Sequence, residues 1–263
     1  MAFFDSCEII VPMASWAQKR RFMYGGTVVA IILIIVGLWS FKTFYKPPTC
    51  FDNIMNGDEQ GVDCGGSCQK LCASSFVTPS VAWTSFEPVA SGLYNVAAYI
   101  INQNITGTAM NVPYHMVLYD NKGVEIVDVP GAVTLPPNRN TLAYIPIVST
   151  GKIPVYRVFF EFTQFPDWKR QADTLGALKI TDKRYTEDQS GSSLLVTLAN
   201  SSVYTIGKFS VYVVLSDAKS NVIGFSKTIV DGVGPHATVT APFTWPMSHN
   251  GAVISEEVLP VVE

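Results

Sequence analysis

A chain of 263 residues with 15% charged side chains, a net charge of −3 and a pI of about 5.6 has no basic field to hold a nucleic-acid backbone. Its 48% apolar content and mean hydropathy of +0.25 are high for a soluble protein, and its length accommodates two domains of ordinary size. Part of the apolar excess is concentrated in one place.

That place is FMYGGTVVAIILIIVGLWSF, Phe22 to Phe41, a run without a charge. At 1.5 Å per residue, a helix of this length spans about 30 Å, the thickness of a bilayer's hydrocarbon core. A cleaved secretory signal has a shorter apolar run ending at small residues. This one ends in Leu38-Trp39-Ser40-Phe41-Lys42 without such a site. The pattern predicts a single-pass signal-anchor: a cytoplasmic tail over 1–21 and a transmembrane helix over 22–45, with Tyr24, Trp39 and Tyr45 at the interfaces. Lys19, Arg20 and Arg21 precede the span, and Lys42 and Lys46 follow it. The positive-inside rule therefore puts the N-terminus in the cytoplasm and the rest of the chain outside. A type IV pilin leader would carry a glutamate early in the helix, and none stands between Arg21 and Lys42.

Next comes CFDNIMNGDEQGVDCGGSCQKLC, in a Cys-rich stalk expected over 46–75. Cys50, Cys64, Cys68 and Cys72 are separated by thirteen, three and three residues, while Cys7 stands alone before the helix. Zinc and iron–sulfur sites need thiolates kept reduced, which an extracytoplasmic setting opposes. Two disulfides are expected, and the spacing does not choose among the three possible pairings. A short segment rich in Gly and Asp cannot bury a core of its own, so such staples would hold it. Asp52, Asn56, Asp58 and Asp63 fall on an EF-hand template at positions 1, 5, 7 and 12, but Ile54 occupies position 3 and no helices flank the loop. Their first reading is as turn formers, with calcium the weaker alternative and no other cofactor expected.

The string C-x-D-x-x-x-N-G-x-E-x-G-x-D-C-G-G-x-C resembles a short Cys-rich module found beside membrane anchors or adhesive domains in bacterial surface proteins. The resemblance implies a bacterial cell-envelope setting and no particular activity.

From Phe76 onward the pattern is all-β: short runs rich in Val, Ile, Tyr and Phe, separated by turn residues. The halves answer each other about 97 residues apart. VLYDNKGVEI (117–126) matches VLSDAKSNVIG (214–224), and VTLPPNRNTLAYIPI matches VDGVGPHATVTAPFT. VAWTSFEP in turn matches LKITDKRY. Two tandem immunoglobulin-like β-sandwiches are expected, at 76–170 and 172–263. Each copy resembles the small bacterial FxLYD-type domain through Met116-Val117-Leu118-Tyr119-Asp120 and Val213-Val214-Leu215-Ser216-Asp217. The resemblance implies a non-catalytic module that spaces or binds. Leu118 and Leu215 should face the core, and Asp120 and Asp217 should accept backbone N–H groups in the turn that follows.

The inventory for catalysis is thin. His115, His236 and His249 are the only histidines, and none sits at a ligand or triad spacing. No nucleophile elbow, zincin helix, Walker loop or dinucleotide fingerprint occurs. Trp168, at the end of VFFEFTQFPDW, is read first as packing into the joint between domains, and as a protein or glycan contact second. Trp245 in PFTWP is the corresponding end of the second copy and reads either way. The expectation is a non-enzymatic envelope protein whose sandwiches bind a protein partner as an accessory subunit of a membrane assembly. The alternative is an adhesin or glycan-binding module with a calcium-stiffened neck.

Overall fold

The computed structural model describes residues 16–45, 49–171, 173–249 and 252–262. Most of the expected cytoplasmic tail, Cys7 and the flanking Lys46 lie outside the described residues.

One helix, α1 (Trp16–Phe44), contains the apolar run and is long and apolar enough to cross a membrane. It begins six residues before the expected span, because AQKRRFM contains only residues that propagate a helix. Arg20 lies over the Trp16 ring at 4.0 Å. At the other end Phe41 and Tyr45 stack at 4.8 Å.

Residues Cys50–Glu263 form a separate compact unit, almost entirely antiparallel β. The first sandwich is built from β1 (Ser80–Ala90), β2 (Leu93–Ile101), β3 (Gly107–Tyr119), β4 (Glu125–Leu135), β5 (Thr141–Ser149) and β6 (Arg157–Phe162). Its two sheets run β1-β2-β5 and β4-β3-β6, and the short β7 (Lys169–Arg170) pairs with the start of β3. The second sandwich is built from β8 (Leu178–Asp188), β9 (Gly191–Asn200), β10 (Phe209–Ser216), β11 (Val222–Val230), β12 (Thr238–Trp245) and β13 (Ser255–Val262), in sheets β12-β9-β8 and β11-β10-β13. Both copies thus join strands one, two and five in one layer and four, three and six in the other. This is the A-B-E and C′-C-F connectivity of an immunoglobulin sandwich without its last strand.

Each sandwich has its own core. Val96, Ala98, Ile100, Met116, Leu118, Leu135 and Phe160 fill the first. Leu194, Val196, Leu198, Val211, Val213, Leu215 and Phe243 fill the second. The expected core roles of Leu118 and Leu215 hold, with both fully buried.

The repeat extends to individual hydrogen bonds. Asp120 Oδ1 accepts the N–H groups of Lys122 and Val124, and Asp217 Oδ1 accepts those of Lys219 and Asn221. Two buried asparagines brace the loops in the same way. Asn102 Nδ2 donates to Pro136 O while its Oδ1 accepts from Asn104 N; Asn200 Nδ2 donates to Val233 O while its Oδ1 accepts from Ser202 N. The same bulge interrupts β1 at Val81/Trp83 and β8 at Ile180/Asp182. The exposed edge of each sixth strand is tied by a side chain of the first, Thr84 Oγ1 to Val158 O at 2.8 Å and Lys183 Nζ to Glu256 O at 2.6 Å. Such ties occupy edge carbonyls that would otherwise template pairing with another chain.

Candidate functional site

Two regions stand out within the compact unit: the disulfide module at its N-terminus and the joint between the sandwiches.

In the module, Cys50 pairs with Cys68 and Cys64 with Cys72, so the first cysteine joins the third and the second the fourth. The acidic residues between them are turn builders. Asp63 Oδ1 accepts the N–H groups of Asp52 and Asn53 at 2.9 and 3.1 Å, Asp52 Oδ1 accepts that of Ile54, and Glu59 Oε2 accepts that of Asn56. Asp58 Oδ1 accepts the Ser67 hydroxyl, and Asp52 Oδ2 accepts from Asn56 Nδ2. Of the four calcium candidates, the three carboxylates face backbone and side-chain donors of the module itself; Asn56 Oδ1 is buried without a partner. Among the described residues, one cluster of His, Cys, Asp or Glu is close enough for a shared ion: Cys50, Glu59 and Cys68. Its two sulfurs are bonded to each other. Gly66 shows why the string carries Gly-Gly between its second and third cysteines: its φ is +54°, and a Cβ there would overlap the carbonyl of Asp58.

The module is tied to the first sandwich. Leu71 N donates to Trp168 O, Arg170 N to Gln69 O, and the Arg170 guanidinium to Gly66 O. Trp168 stacks on Phe76 at 4.9 Å and is only 1% exposed, so it is not a surface contact residue. It fastens the module to the first sandwich instead of filling the joint between sandwiches, because β7 brings it to the start of β3. Trp245 is likewise buried, in the second core, where its indole N–H donates to Phe225 O. Neither tryptophan is free to meet a ligand.

The joint is formed by the outer face of β1-β2-β5 packed on the outer face of β11-β10-β13. Ala97, Tyr99, Leu142, Val214 and Phe225 are its buried centre, surrounded by Trp83, Ile101, Tyr144, Tyr212, Val222 and Leu259. The Tyr144 and Phe225 rings meet edge to face at 6.0 Å. At the rim, Tyr99 OH donates to Glu257 Oε1 at 2.7 Å and accepts from Asn140 Nδ2 at 2.9 Å. Glu87 of β1 is a carboxyl inside this apolar contact. The Phe225 backbone N–H donates to it, and its Oε2 is buried without a hydrogen-bond partner. Burial pushes its pKa up to about 7, against the opposing effect of the Phe225 N–H. Burial also lifts the nearby Tyr144 hydroxyl to about 12, with the Glu87 charge adding to the shift.

Register alignment identifies the counterpart of this face in the first sandwich, on β4-β3-β6. His115 stands where Tyr212 stands, Val117 where Val214 does, Asp128 where Phe225 does and Glu161 where Leu259 does. Three of the four docking positions are therefore polar in the free copy, and they bind one another. His115 Nδ1 is 3.0 Å from Asp128 Oδ2, and its Nε2 is 3.5 Å from Glu161 Oε2. The Asp128 hydrogen bond, with help from Glu161, holds the imidazole above its ordinary pKa. The two carboxylates lie at opposite ring nitrogens, a geometry that clamps the ring and does not converge on one ion. His115 lies within β3. His236 lies in a turn.

His249 has a structural role. Its Nδ1 meets Tyr185 OH at 2.9 Å and Ser192 Oγ at 3.0 Å, and its backbone N–H donates to Glu187 Oε2. Burial lowers its pKa, and its contacts with these hydroxyls pin the segment between β12 and β13.

No protein-family model and no curated protein sequence matches the chain. Among solved structures, red sea bream transglutaminase aligns at 12% identity and a TM-score of 0.20, over 72% of this chain and 32% of that one. The N-terminal CBM22-1–CBM22-2 tandem domain of Paenibacillus barcinonensis Xyn10C aligns at 7% identity and a TM-score of 0.14, over 71% of this chain and 86% of that one. The chain thus spans about a third of the transglutaminase's length. Likenesses at these scores carry no functional argument.

The sequence points to a joint between the domains but not to the residues that form it, to Glu87 or to the His115 clamp. A signal for the joint was present. NVAAYII in β2 and FSVYVVL in β10 are near-continuous apolar runs, the mark of a strand buried on both faces, whereas SSLLVTLAN in β9 alternates.

Proposed function

We propose that this chain is a single-pass, membrane-anchored protein of a bacterial cell envelope, with its N-terminus in the cytoplasm and Cys50–Glu263 outside. Its sandwiches hold a partner protein as an accessory subunit of a membrane assembly, and its role is binding, not catalysis. The observation that carries this reading is the joint. The chain already uses the outer face of one four-three-six sheet to hold a second folded domain, through a packed apolar centre and a polar rim, the anatomy of a protein–protein interface. The equivalent face of the first sandwich, with the exposed Phe159 and the His115–Asp128–Glu161 clamp, is the corresponding surface left open.

The test is purification from native membranes in mild detergent, with stoichiometry measured for whatever accompanies the chain. A partner in fixed ratio that is lost from D128K/E161K, while that variant keeps its wild-type melting temperature, is the expected result. Recovery of the chain alone, or with glycan only, would overturn the accessory-subunit reading.

A further inference from the structure

The disulfide module carries a second surface that neither the joint nor the clamped face uses. Phe51 is 88% exposed, Ile54 57%, Met55 58% and Val62 56%. Single exposed apolar residues are ordinary; four within twelve positions of a small, stapled module form a patch. They belong to neighbouring parts of the fold, because Asp63, next to Val62, accepts the N–H groups of Asp52 and Asn53, the residues between Phe51 and Ile54. The patch is also held stiffly. Cys50, beside Phe51, is bonded to Cys68; Asn53 is fixed at φ +57°; and Asn56 binds both Asp52 and Glu59. These bonds fix a loop that displays its apolar side chains instead of folding them inward.

The occupant is set by chain length. Tyr45, at the end of α1, is followed five residues later by Cys50, and even a fully extended segment of that length covers only about 18 Å. If α1 spans a bilayer, as the reading above holds, its aromatic end with Trp39, Phe41 and Tyr45 marks the interface level, and the module cannot leave the membrane surface.

We infer that Phe51, Ile54, Met55 and Val62 form an apolar foot that seats the disulfide module in the headgroup–acyl boundary of the same bilayer. The module carries Asp52, Asp58, Glu59 and Asp63 and no basic cluster, so seating is driven by apolar burial and not by attraction to anionic lipid.

The experiment uses the full chain in phosphatidylcholine liposomes containing a trace of phospholipid with an acyl-chain diazirine. After irradiation, modified peptides are mapped by mass spectrometry. Label in residues 51–62 as well as in α1 is expected, equally at 0.1 and 1 M salt, with the 51–62 label falling roughly tenfold or more in F51S/I54S/M55S. These side chains are exposed, so the variant should keep both disulfides, which a non-reducing peptide map verifies. Label in α1 but not in 51–62 overturns the foot and leaves the anchor standing. Label in neither defeats the anchor reading itself.

Discussion

Replacing Glu87 with glutamine should abolish one specific piece of the protein's pH dependence. In the folded state Glu87 titrates near 7 because burial in the joint disfavours its charge; its ordinary value is 4.5. Between those limits the folded chain holds a proton that the unfolded chain has released, so stability falls as pH rises from about 4.5 to 7 and is level beyond either end. A shift of this size corresponds to about 2–3 kcal/mol after discounting for partial solvent screening. For a unit of this size, that is a difference of about 5–10 °C in melting temperature. Glutamine keeps the acceptor for the Phe225 N–H and carries no charge at any pH. Thermal unfolding of both proteins in detergent, followed by near-UV circular dichroism, gives the difference directly. The other titrating groups, His115 and His249, are present in both proteins and cancel. Coincident melting temperatures at pH 4.5 and a variant about 5–10 °C more stable at pH 8 are expected. Parallel curves across the range would refute the reasoning, by showing that the carboxyl is solvated in the folded state.

Phe225→Asp places an unpaired charge at the centre of the joint, a change that typically costs about 3–5 kcal/mol. Small-angle scattering should show a larger radius of gyration and limited proteolysis should cut between Arg170 and Leu178, while each sandwich keeps its own β spectrum; unchanged scattering and resistance would contradict the joint. Asn102→Ala strands Pro136 O and Asn200→Ala strands the Ser202 N–H, and each should cost about 1–3 kcal/mol in denaturant unfolding. Because the two loops share no partner, the double variant should equal the sum within about 0.5 kcal/mol, and a larger departure would mean the sandwiches are coupled through these corners.

How much of this could be read beforehand depends on which interactions are local. The apolar helix follows from composition alone, and the paired turns at Asp120 and Asp217 follow from a short string in which an aspartate closes a strand. The repeat was legible because the same string recurs with its flanking strands. The cysteine pairing was not, because it is set by how Asp63, Asp52 and Glu59 gather the backbone, which spacing does not encode. Trp168 was placed in the wrong contact for a similar reason. Its burial could be expected, but its partner Phe76 is reached only once β7 pairs with β3. The His115 clamp joins three strands, and none of its members is near another in sequence.

The joint also bears on how far such a protein could extend. It brings together unlike faces, the one-two-five sheet of one copy and the four-three-six sheet of the next, and a head-to-tail contact of this type has no built-in stop. Two identical copies would leave one face of each kind uncovered, ready to add a further molecule at either end and grow a filament. The outward faces are altered at both ends. On one, His115, Asp128 and Glu161 replace Tyr212, Phe225 and Leu259; on the other, Asp182, Thr197 and Thr240 occupy the places of Trp83, Tyr99 and Leu142. The two copies have diverged at the positions where identical faces would let growth continue, much as capping units differ from the inner units of a solenoid.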